Sequence, residues 1–206
     1  MEEEVNFAAL DEELCVFDAE SRSIPFASLF AERKAIITFA LSEEISPSLL
    51  RQHNTSLFVI GCGPPSGILP FKQDTHFDKL EFDSSSKEEE ERVADMFVDP
   101  ERKVYDALRL IHAESFSQLK GQPSPYVKSG FMGGMAWSLK KVFASGLNTG
   151  DFKQLGGEFV VGPGPVCHYV HRHEHPSDVS NIDTLLEAAG CKPPPQQQEE
   201  RDQSEH

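Results

Sequence analysis

Four cysteines and a run of histidines are the residues of this sequence best suited to chemistry. Cys15, Cys62, Cys167 and Cys191 are widely and irregularly spaced, and no two form a C-x-x-C pair. That pattern is neither a disulfide framework nor a zinc–thiolate site. Each thiol is therefore judged by its own surroundings, because the thiolate is the nucleophile and a free thiol of pKa ~8.5 is mostly protonated at neutral pH. Cys62 is the candidate reactive thiol. It stands in Gly61-Cys62-Gly63-Pro64-Pro65, the exit turn of an apolar strand, where open α/β sheets place their sites. The alternative is a half-buried turn thiol, since no neighbour in sequence would lower its pKa. Cys15 and Cys167 fall on expected strands and read as core thiols, and Cys191 falls in a tail and reads as incidental.

His168, His171, His173 and His175 suggest a metal cluster. Strand alternation puts His171 and His173 on one face and His168 on the other. Zinc or copper binding is one reading. A solvated strand end is the other, and the lack of a ligand-spacing motif favours it. Gly130-x-x-Gly133-Gly134 lacks the Gly-Lys-Ser/Thr ending of a phosphate loop and reads as close helix packing. Glu43-Glu44 reads as a solvated helix face rather than an acid/base pair. No Ser-His-Asp set is legible, and no cofactor or bound metal is expected.

These residues must be positioned by an α/β framework. Strands are expected at 14–18, at 35–41, at 57–60 and at 96–98. Two more, 158–161 and 166–170, are joined by Gly162-Pro163-Gly164-Pro165. The unbroken apolar run at 35–41 suits a strand covered on both faces, as in a parallel sheet. Ser46-Pro47 opens a short helix, which Asn54-Thr55-Ser56 interrupts. Asp99-Pro100 opens another, with Val104, Leu108 and Ile111 as its apolar face. Phe131, Met135, Leu139 and Val142 continue a long helical pattern. Asn181 caps a last helix, with Asp183 in its first turn, Leu185 and Leu186 as anchors and Gly190 as its stop.

The 206 residues suit one domain. We divide the chain into an acidic lead-in (1–12), a domain (13–190) carrying an acidic insertion (81–95), and a disordered tail (191–206) with Pro193-Pro194-Pro195 followed by the run Gln196-Gln197-Gln198. The insertion reads as solvated surface, or alternatively as a docking segment for a protein partner. A net charge of −15 argues against nucleic-acid partners and anionic membrane surfaces. No apolar run approaches the ~18 residues of a membrane span. The acidic Met1-Glu2-Glu3-Glu4 lacks a signal pattern, so a reducing, cytoplasmic location is expected.

Several stretches resemble the thioredoxin-like AhpC/TSA antioxidant enzyme family, a peroxiredoxin-like group, and most of all its fungal-type members. They are Val16-Phe17-Asp18-Ala19 with Ile24-Pro25-Phe26-Ala27-Ser28-Leu29-Phe30, Phe58-Val59-Ile60-Gly61-Cys62-Gly63, Val98-Asp99-Pro100-Glu101-Arg102-Lys103-Val104-Tyr105-Asp106-Ala107-Leu108, Gln154-Leu155-Gly156-Gly157-Glu158-Phe159, and His171-Arg172. The resemblance covers roughly 14–190 and implies a thioredoxin-like fold: a central mixed β-sheet flanked by helices. It also implies thiol-dependent peroxide or disulfide reduction.

One departure decides how far that implication reaches. In the family the apolar strand runs on into an arginine-histidine stretch and a C-x-x-C motif that opens a helix. Here Ile36-Ile37-Thr38-Phe39 resembles the beginning of the strand, and Ala40-Leu41-Ser42-Glu43-Glu44-Ile45-Ser46-Pro47 resembles the stretch beyond the motif. The segment between them is missing and the active-site helix is truncated. No residue matches the family's catalytic cysteines, which leaves Cys62 as the residual candidate. The expectation is a redox-family protein inactive as it stands. The alternatives are a non-catalytic binding module and an incomplete gene product of an active thiol oxidoreductase.

Overall fold

A computed structural model describes residues 5–10, 13–39, 45–75, 77, 93–115, 151 and 153–191. Seven strands form one mixed sheet: β1 (Cys15–Phe17), β2 (Ser23–Pro25), β3 (Lys34–Thr38), β4 (Thr55–Gly61), β5 (Ala94–Val98), β6 (Gly157–Val161) and β7 (Cys167–Arg172), in the order β2-β1-β5-β4-β3-β6-β7. The central β5, β4 and β3 run parallel. β6 and β7 extend them antiparallel on one side, and β1 and β2 on the other. This is the expected thioredoxin-like α/β architecture.

The central strand β3 faces a hydrophobic layer on each side. Ala35, Ile36 and Ile37 are fully buried, Ala35 and Ile37 on one face and Ile36 on the other. In the layer of Ile36 lie α1 (Pro47–Gln52) through Leu50, α2 (Ile68–Thr75) through Ile68, and α4 (Ile182–Ala189) through Leu185 and Leu186. In the layer of Ile37 lie α3 (Lys103–Ala107) through Val104 and Tyr105, together with Phe7, Phe26 and Phe30. Among the described residues no helix is long and apolar enough to cross a membrane.

The strands β4, β6 and β7 and the last helix lie where the sequence patterns put them. Asn181 Oδ1 accepts the Asp183 N–H at 2.8 Å, and Gly190 ends α4 at φ 79°. β3 is paired as far as Thr38, and residues 40–41 of the expected strand lie outside the described residues. Elsewhere the structure corrects the expectations. Neither β2 nor α2 is visible as a sequence pattern: β2 is three residues long, and Pro70 and Lys72 interrupt the apolar spacing of α2. Lys72 is instead held against β5 by Asp95, 2.7 Å away. Ala94 and Asp95, assigned to the acidic insertion, are the first residues of β5. Residues 78–92 lie outside the described residues, as do Glu43-Glu44, Gly130, Gly133, Gly134 and the helical pattern from Phe131 to Val142. The lead-in is more than acidic: Val5 and Phe7 are buried, and Phe7 meets Phe30 and Phe159 edge-on.

The helix expected at Asp99-Pro100 starts three residues after Pro100, at Lys103. Asp99 nevertheless caps it. Its carboxylate accepts the N–H groups of Lys103, Val104 and Tyr105 at 3.1, 2.7 and 3.2 Å, while Pro100 to Arg102 form the turn between. The positive φ of Arg109 (58°) takes the chain away from the helical path, which leaves Ile111 exposed rather than on the apolar face. Asp99→Ala removes the acceptor of three N–H groups at once. It should destabilise the fold by about 2 kcal/mol, read as a lower urea midpoint with an unchanged slope.

Candidate functional site

The three parallel strands deliver their C-terminal ends to one edge of the sheet: Phe39 after β3, Cys62 after β4 and Asp99 after β5. The main chain holds this edge together. Phe39 N–H donates to Gly157 O at 3.0 Å, and Asp99 N–H donates to Gly61 O at 2.7 Å. Gly156 allows the close approach of the chain here, because a Cβ at that position would lie 2.9 Å from Phe39 Cβ. The Phe39 ring turns into the core against Tyr105 and Phe159, with ring centroids 4.7 and 6.0 Å away. The first position after the central strand is thus filled by an aromatic packing residue.

Cys62 is half-buried at this edge, and its Sγ donates to Asp151 O at 3.8 Å. Burial pushes its thiol above the ordinary range, and the nearby Asp151 carboxylate adds to the rise. The neighbouring Tyr105 hydroxyl donates to Ile60 O at 3.0 Å and is itself pushed well up by burial. Two basic side chains in this region serve Asp151: Arg102 Nη1 and His112 Nε2 each lie 2.8 Å from its carboxylate. The Lys153 N–H and His112 hold the Asp151 carboxyl below its usual range, so the group beside Cys62 is anionic. The other thiols depart from expectation. Cys15 and Cys167 are half-buried rather than core residues, because β1 and β7 lie toward the sheet margins. Cys191 is fully buried, its Sγ 3.4 Å from Thr55 Oγ1, because the chain after α4 returns to the start of β4.

A second cluster lies on β6 and β7. Glu158 faces His171 in the strand register, and His173, two residues further on, shares that face. His173 Nε2 is 2.7 Å from Glu158 Oε1, and Ser180 Oγ donates to Glu158 Oε2 at 3.0 Å. His171 Nε2 lies 3.1 Å from Asp178 O and 3.2 Å from Asp178 Oδ1. Burial alone would raise the Asp178 carboxyl, but the Glu174 N–H and the surrounding histidines hold it low. Glu158 and His173 are both buried, so the solvated-strand reading fails for His173. His168 turns away to Gly162 O at 2.8 Å, and His175 accepts the Ser177 N–H. The sequence reading missed Glu158, because one glutamate in an apolar strand carries no spacing signal until β7 pairs with it.

The Cys62 surroundings give a kinetic expectation. A raised thiol pKa means less thiolate at neutral pH, so alkylation by iodoacetamide at pH 7 should be slower at Cys62 than at free cysteine. Its rate should rise with pH to a midpoint above that of free cysteine. Asp151→Asn should move that midpoint down, and peptide-resolved mass spectrometry reads both.

A family model described as AhpC/TSA antioxidant enzyme matches residues 40–175. Peroxiredoxin-like 2C of Mus musculus is 31% identical over 201 residues, covering 90% of this chain and 81% of that protein. Its Homo sapiens counterpart is 30% identical over 200 residues, covering 90% and 81%. Among solved structures, a mutant of peroxiredoxin 6 of Arenicola marina aligns with a TM-score of 0.49 at 8% identity, covering 86% of this chain and 69% of that one. The family model and the two relatives together establish that this chain belongs to the AhpC/TSA antioxidant enzyme family, a kinship that supports a function of the thiol-dependent redox type.

Proposed function

We propose that this chain keeps the scaffold of a thiol-dependent redox protein without performing peroxide or disulfide reduction, and acts as a non-catalytic binding module of the cytoplasm. The observation that carries this reading is the end of β3. A family-type reactive thiol needs a helix N-terminus to stabilise its thiolate and a second cysteine to resolve the mixed disulfide. Here β3 leads into the partly buried Phe39, whose ring packs on Tyr105, no cysteine occurs between it and Pro47, and α1 is six residues long. Cys62 is a poor substitute, since burial disfavours its thiolate and the Asp151 negative charge acts in the same direction. The acidic insertion is the segment through which a protein partner would dock.

A second reading is favoured by the intact flanks of the departure. β3 stays in register with β4 and β6 up to Thr38, and the Ser46-Pro47 helix start is in place. That is the pattern left by in-frame loss of one segment, so the complete product would be an active thiol oxidoreductase. Transcript sequence across Phe39-Ala40 separates the two readings, because coding sequence for a C-x-x-C segment there restores the enzyme.

With a dithiol reductant present, this chain should consume hydrogen peroxide no faster than free cysteine does, and Cys62→Ser should change nothing. A rate more than about tenfold above free cysteine that is lost in Cys62→Ser would overturn the non-catalytic reading.

A further inference from the structure

We propose that Glu158, His171 and His173 form a binding site for one divalent transition-metal ion, with Zn²⁺ as the fitting occupant. The inference is independent of the thiol chemistry. Among the described residues these three form a group in which one ligand atom from each lies within 4.8 Å of the others. Two imidazoles and a carboxylate are a donor set that Zn²⁺ accepts, and three protein ligands leave a fourth position for water. Metal–ligand bonds of about 2.0–2.1 Å place tetrahedral ligands about 3.3 Å apart. The 2.7 Å contact between His173 and Glu158 would open slightly, and the His171 ring would move inward.

The surroundings are already those of a positioned site. Asp178 holds His171 Nε2 through both its carboxylate and its carbonyl, and carboxylates commonly orient metal-binding imidazoles in this way. Ser180 fixes the second oxygen of Glu158, and Tyr169 OH lies 2.9 Å from Ser180 Oγ. The His173 main-chain N–H donates to Gly156 O at 3.0 Å, which anchors the ligand beyond the end of β7. Glu158 and His173 are almost wholly shielded from solvent, at 1% and 2% exposure, so an ion here would meet little competition from water. His168 on the opposite face is excluded, and His175 is turned to the Ser177 N–H.

Calorimetry and equilibrium dialysis of the full chain with Zn²⁺ test the site, with Co²⁺ as an optical probe. The expected result is one ion per chain at micromolar concentration or below, and a Co²⁺ spectrum without thiolate charge transfer. His171→Ala and Glu158→Gln should each weaken binding by about tenfold or more, and His168→Ala should leave it unchanged. Because Glu158 is buried, the melting curve of each variant is recorded. If Glu158→Gln does not fold, the half-buried His171 carries the comparison with His168. Absence of binding at micromolar Zn²⁺ overturns the proposal. So does binding that survives His171→Ala, or binding that is lost on replacing Cys15, Cys62 and Cys167 by serine.

Discussion

The fold depends on the burial of β3 on all sides. The strand is paired in parallel with β4 and antiparallel with β6, and its side chains enter both hydrophobic layers. Each fully buried isoleucine contributes roughly 1.5–3 kcal/mol, and every main-chain polar group of such a strand must find a partner within the sheet. A strand so enclosed can change little without disturbing both layers. Thr38 is the last residue of both its ladders, so a change of sequence beyond Phe39 leaves the pairing of β3 with β4 and β6 intact.

The same constraint governs the polar groups that do enter the interior. Asp99 is buried at the end of β5, and three amide N–H groups at the start of α3 compensate it. Glu158 is buried on β6, and His173 and Ser180 compensate it. Leaving such a buried carboxyl group without its partners costs several kcal/mol, about 3–5 where it is ionised, so Ser180 and the first residues of α3 are tied to these groups. At Cys62 the balance goes the other way. Its neighbours are Asp151 and a tyrosine, and Arg102 is drawn to the carboxylate rather than to the sulfur.

Patterns of local origin were legible in the sequence. The apolar runs of β3 and β4, the hairpin across Gly162-Pro163-Gly164-Pro165, and the Asn181 cap with its Gly190 stop all act over a few residues. The lack of any C-x-x-C pair was legible for the same reason, since a motif is absent or present in the primary structure itself. Elements with weak local signals were not: β2 is defined by its pairing with β1, and α2 by the packing of Ile68 and the Lys72–Asp95 ion pair.

The sequence alone determined the α/β class and the family resemblance, because periodicity, capping and motif spacing are properties of neighbouring residues. Only the tertiary structure decided the surroundings of the remaining reactive groups. Strand register set Glu158 opposite His171, chain reversal buried Cys191 against Thr55, and residue 151 came to lie beside Cys62. Burial and charge at a side chain come from residues distant in sequence, and no local pattern encodes them.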